Sequence, residues 1–151
     1  MLLYRIEKCE YRSIYPPLGS KCSDGRWSTK DMWVVYTSEN IALAKLETLA
    51  NSGNKVPKDR FLLVLELRED APLLEIKESD LPASWAGSPY PKVLASIVKG
   101  VMGTGQFVGV IVPSAQSPRE KNILLFPGFE GFEHYVKKVD EVEEYFDPRL
   151  K

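Results

Sequence analysis

The chain has 151 residues, of which 44% are hydrophobic and 27% charged. These are the proportions of a soluble globule, not of a disordered or fibrous chain, and the length suits one domain, 1–151, that buries its own core. With 20 basic and 21 acidic side chains the net charge is −1, which provides no global basic field for general nucleic-acid binding.

In chain order, "LLYRIEK" reads as a first strand and "YPPLGSKCSDG" as a loop. "MWVVYT", rich in β-branched and aromatic residues, reads as a buried strand. Ser38 offers an N-cap and Glu39 a first-turn acid for a helix through "ENIALAKLETLA", ended by Asn51 and Gly53. "RFLLVLELR" reads as a third strand, "LPASWAGSPYP" as a connector, and "KVLASIVKGVM" as a second helix stopped by Gly103 and Gly105. "FVGVIVP", "NILLFP" and "HYVKKVDEV" complete six strands. Strands mixed with two helices at irregular intervals predict an α/β (α+β) domain with a mixed sheet, and disfavour a doubly wound parallel one.

Several function classes lack their signals. Cys9, Cys22 and His134 have no zinc-ligand spacing, so no metal is expected. There is no phosphate-cradling glycine loop and no nucleophile elbow; "GVMGTGQ" closes a helix and does not open one. No apolar run approaches the roughly 20 residues of a membrane helix. "MLLYRIEKCEY" is charged by its fifth residue, unlike a signal peptide, so a cytoplasmic chain is the expectation.

A few residues are able to carry chemistry, and each has a plainer reading beside it. Helical spacing puts Leu43, Leu46, Glu47 and Ala50 on one face; Glu47 there is either a rim glutamate reaching water or a carboxylate facing a cleft. Arg26 follows Gly25 in a loop, as a solvated arginine or as a fork of donors for phosphate oxygens. Arg5 lies inside the first strand and needs a carboxylate, a phosphate or solvent. Tyr36 ends a buried strand, as a core tyrosine or as a stacking surface for a planar ring. Ser114 follows Pro113 at a strand end, as a turn serine or a hydroxyl donor, and Asn122 opens the next strand. The three tryptophans, Trp27, Trp33 and Trp85, read as packing. Together these groups suit an anionic, ring-bearing ligand such as a dinucleotide or nucleoside phosphate.

Read in order, "YRI", "GRW", "VVYTSENIALAKLE", "LPASW", "VPSAQSPREKNILLFP" and "FDPRL" resemble the RES-domain proteins, over Tyr4 to Leu150. The resemblance implies a fold like the catalytic core of ADP-ribosyltransferases and a toxin of a bacterial toxin–antitoxin pair. NAD would be consumed as a substrate, by hydrolysis or phosphorolysis of the nicotinamide–ribose bond or, in the alternative, by ADP-ribosylation of a protein. The implied partner is an antitoxin with an Xre-like helix-turn-helix region. The family's arginine, glutamate and serine fall on Arg26, Glu47 and Ser114 as catalytic residues; Arg5, Arg26, Tyr36, Ser114 and Asn122 would bind NAD. The chain departs from the family pattern at Phe126 and Phe129, where an asparagine and a histidine are common. That departure motivates a third reading, a non-catalytic interaction module on the same fold.

Overall fold

The fold is that of a computed structural model, which describes residues 1–17 and 24–151. Cys22 and part of the loop before Asp24 lie outside the described residues. The strands are β1 (Leu2–Lys8), β2 (Val35–Ser38), β3 (Arg60–Leu67), β4 (Leu73–Glu75), β5 (Gly109–Pro113), β6 (Lys121–Leu125) and β7 (Val136–Glu144). The helices are α1 (Ile41–Ala50), α2 (Val93–Gly103) and the single turn α3 (Phe132–Tyr135).

The seven strands form one mixed sheet in the order β4-β5-β6-β2-β1-β3-β7. Only β4 and β5 run parallel; every other pair is antiparallel. Side chains alternate across this sheet. Leu3, Val35, Leu63, Leu65, Ile123 and Leu125 therefore face one core cluster, completed by Phe132 of α3. Val34, Val110, Val112 and Leu124 face the other, which α2 covers with Leu94 and Val98. Trp27 and Trp85 join that second cluster with ring centroids 6.2 Å apart, while the Trp33 indole donates to the Pro17 carbonyl at 2.9 Å.

Three expectations change. α1 is capped by Asn40, whose Oδ1 accepts from the Leu43 amide at 2.7 Å. Ser38 is still a β2 residue paired with Asn122, so it is not free to cap. The inner face of α1 is Leu43, Ala44 and Glu47, whereas Leu46 is 40% exposed and Ala50 is exposed. The residues before β7 form the α3 turn, entered through Gly131 at φ 85, a backbone angle that glycine adopts without strain.

The sheet has one seam. β1 pairs with β3 along its whole length, Leu2 to Lys8, but meets β2 only at Tyr4 opposite Ser38. Beyond that pair the two strands part, and the open edge of β1 becomes the wall of a cleft.

Candidate active site

The cleft has a volume of about 950 Å³, at the upper end of the range of ligand sites. β1, β2, α1, the Gly25 turn and the connector before α2 line it, and Arg5, Arg26, Tyr36, Glu47 and Asn122 all contribute to its walls.

Glu47 is its organised carboxylate. One oxygen, Oε1, accepts from Ser114 Oγ at 2.6 Å and from Asn122 Nδ2 at 2.9 Å. The other accepts no hydrogen bond from any described residue. Ser114 is 0% exposed and directly follows Pro113, the last residue of β5. Its hydroxyl oxygen accepts the amides of Gln116 (3.1 Å) and Ser117 (3.3 Å), so its one proton is directed at Glu47. Ser114 is thus a turn serine and a carboxylate partner at once. Asn122 is 6% exposed; its Oδ1 accepts from Ser38 Oγ at 2.7 Å. A chain of hydrogen bonds, Ser38 to Asn122 to Glu47, is closed from the other side by Ser114.

Arg5 reaches across the seam. Its Nη1 donates to the Tyr36 carbonyl at 3.0 Å, while Nε and Nη2 hold Glu7 Oε2 at 2.8 and 2.7 Å. Nothing in the sequence singles out Glu7 beyond its spacing: Arg5 and Glu7, two apart on a strand, share a face. Tyr36 lines the cleft, packs against the second core cluster and bonds Ser28 Oγ through its hydroxyl at 2.7 Å. Burial pushes its phenol up, with Ser28 opposing. Gly25 makes this packing possible, since a Cβ there would lie 2.7 Å from the Tyr36 hydroxyl.

Arg26 clamps the connector. Its Nη1 donates to the carbonyls of Trp85 and Gly87, both at 2.8 Å, and its guanidinium lies 5.4 Å from the Tyr90 ring centroid. Its Nε and Nη2 make no hydrogen bond to the described residues. Phe126 is buried in the second core cluster and Phe129 packs against both clusters, so these two departures from the family pattern act as core residues. His134 lies on α3 against Tyr135 and is not among the residues lining the cleft. Among the described residues no group of three or more His, Cys, Asp or Glu gathers at metal-binding distance, and no helix is long and apolar enough to cross a membrane.

Residues 2–147 match the family model of the RES domain. The chain belongs to the RES-domain family. It is 31% identical over 152 residues to "Toxin Res" of Yersinia enterocolitica (serotype O:8 / biotype 1B), covering all of both chains. It is 30% identical to "Toxin Res" of Photorhabdus laumondii, over 99% of this chain and 97% of that one. A "Prs ADP-ribosylating toxin" of Sphingobium sp. is 29% identical over 137 residues, 87% of this chain and 83% of the relative. In fold, this RES domain is similar to a chain of the M. tuberculosis MbcT-MbcA toxin-antitoxin complex, with a TM-score of 0.71 over 99% of this chain and 85% of the other, at 14% identity.

Proposed function

We propose that this RES-domain chain is a toxin that consumes NAD by cleaving the bond between nicotinamide and ribose. The observation that carries the reading is Glu47: a cleft carboxylate with one oxygen fixed by two buried donors and the second open. Its full-length relatives named "Toxin Res" support the toxin assignment.

In the reaction, the carbon–nitrogen bond breaks with both electrons going to the cationic ring nitrogen, so nicotinamide leaves neutral and needs no strong acid. Positive charge develops on the sugar. Glu47 stabilises that charge more in the transition state than in the ground state, which lowers the barrier. Water or phosphate then forms the new bond to the sugar carbon, and its proton passes to Glu47 or solvent. Arg26, whose Nε and Nη2 are unengaged among the described residues, and Arg5 would face the pyrophosphate; Tyr36 would wall the nicotinamide pocket. Ser114 and Asn122 act on the substrate through the carboxylate they hold.

A second acceptor is favoured by one observation: the relative named for ADP-ribosylating Prs supports transfer to a protein nucleophile through the same cleavage. The solved neighbour, taken from a toxin-antitoxin complex, supports an antitoxin as partner, with an Xre-like helix-turn-helix region by family resemblance.

The test is incubation of the pure protein with NAD, with and without phosphate and cell lysate, followed by mass spectrometry. Free nicotinamide with ADP-ribose, with its phosphorylated form, or with a protein adduct distinguishes the three acceptors. No release of nicotinamide under any condition overturns the proposal.

A further inference from the structure

The Glu47 carboxylate is held by two residues, and one of these is itself held. Ser38 Oγ donates to Asn122 Oδ1 at 2.7 Å, and Asn122 Nδ2 donates to Glu47 Oε1 at 2.9 Å. A carboxamide is nearly symmetric in shape and opposite in polarity at its two ends. Beside an acceptor-only carboxylate it must present its NH₂ group, so its oxygen is turned toward Ser38. Ser38 is 4% exposed, and its hydroxyl is the donor that oxygen receives. The polarity of the chain runs one way, hydroxyl to amide to carboxylate, and each bond strengthens the next.

The backbone makes Ser38 a fixed anchor. It is the last residue of β2 and is paired with Asn122 across the β2–β6 ladder and with Tyr4 across the seam. The two residues after it are tied down as well: Glu39 Oε1 accepts from the Lys121 amide at 3.0 Å, and Asn40 caps α1 while its Nδ2 donates to Glu120 at 2.9 Å. Glu47 sits two turns along that same helix. The corner that starts α1 and the side chain that orients Asn122 are therefore one rigid piece.

We infer that Ser38 is a positioning residue for Glu47, acting through the carboxamide of Asn122. The inference rests on the catalytic reading of Glu47. Removing the Ser38 hydroxyl leaves Asn122 Oδ1 without its donor, so the carboxamide is freed to rotate and Oε1 loses a well-aimed partner. Glu47 then samples geometries in which its open oxygen is misplaced, and the reaction slows with little effect on substrate binding.

The test is a mutant cycle read by nicotinamide release and by side-chain amide NMR. Ser38→Ala lowers kcat about tenfold, the size expected for one hydrogen bond, with KM within about twofold, and Ser38→Thr restores most of the loss. In an Asn122→Ala background, Ser38→Ala costs nothing further, which a general destabilisation would not reproduce. Should Ser38→Ala melt below the assay temperature, Ser38→Cys takes its place, keeping the volume and weakening the donor. A Ser38→Ala loss that multiplies undiminished onto Asn122→Ala, or a variant as fast as the parent, overturns the inference. If the parent itself releases no nicotinamide, the catalytic reading has failed, and the relay is judged by the Asn122 NH₂ resonances alone. They move in both Ser38→Ala and Glu47→Gln if the chain of bonds is real, and stay in place in Ser38→Ala if it is not.

Discussion

Ser114 Oγ lies 2.6 Å from Glu47 Oε1, joining the end of β5 to the middle of α1 across 67 positions of sequence. The serine hydroxyl already accepts two backbone amides, so its proton has one destination. The contact therefore fixes the carboxylate and stabilises the turn after β5 together. In Ser114→Ala both part-buried amides lose their acceptor, and stability falls by about 0.5–1.5 kcal/mol. NAD turnover falls in the same variant, and urea melts beside nicotinamide release separate the two effects. A variant that loses neither removes Ser114 from the site.

Glu47→Gln keeps the shape of the side chain and removes its charge. Nicotinamide release is expected to fall roughly 100- to 1,000-fold, the scale of losing a principal electrostatic contact. The variant stays folded by circular dichroism, because Ser114 can still donate to the amide oxygen. Turnover at the parental rate defeats the catalytic assignment.

Arg26→Ala separates clamping from binding. The connector carbonyls of Trp85 and Gly87 lose their shared donor, so backbone amides from Ala86 to Ser88 exchange faster with deuterium. The thermal shift produced by NAD shrinks by more than the melting temperature of the free protein falls. An unchanged shift with NAD shows that Arg26 serves the connector alone.

Gly25 and Tyr36 offer a test of local packing that needs no substrate. A methyl group at residue 25 meets the Tyr36 hydroxyl at 2.7 Å, closer than van der Waals contact allows. Gly25→Ala is expected to cost about 1–3 kcal/mol by overpacking. Adding Tyr36→Phe removes the clashing oxygen and recovers part of it. Denaturant titrations of the parent, the two single variants and the double variant decide the matter, and additive losses refute the contact.

Tyr15 gives the fold an alkaline limit. Its hydroxyl donates to the Val136 carbonyl at 3.0 Å. Burial first, and Glu133 second, push the phenol up from 10.0 to about 12. The folded state thus holds the phenol proton more tightly than the unfolded chain does. The resulting stabilisation is complete below pH 10 and is lost as the pH rises through about 12. Thermal melts across that window fall more steeply for the parent than for Tyr15→Phe.

The pattern of the long strands was readable because their burial is regular. "RFLLVLELR" and "NILLFP" lie in the sheet where their apolar runs put them. β4 escaped notice because three residues, Leu73–Glu75, in a charged stretch carry too little periodicity, and their strand identity comes from parallel pairing with β5. The cap of α1 lies two residues beyond the one its sequence suggests, because Ser38 has the chemistry of a cap but is held by Asn122 in the sheet. The candidate residues are legible one at a time: Glu47, Ser114 and Asn122 each carry suitable chemistry, yet nothing local says that they converge on one oxygen. Ser28 and Glu7 passed unnoticed, because a small polar residue in a turn and an acid in a strand have ordinary explanations until Tyr36 and Arg5 are seen beside them.

The parting of β1 from β2 has a consequence for how such a chain can change. From Arg5 to Lys8 the backbone of β1 pairs with no strand on its open side, where the Arg5 side chain bridges to β2, while β3 secures it from behind. Substitutions along that rim alter what the cavity admits without breaking a ladder. A lineage is therefore free to reshape the cleft on an unchanged frame, with the Glu47 carboxylate left where it is.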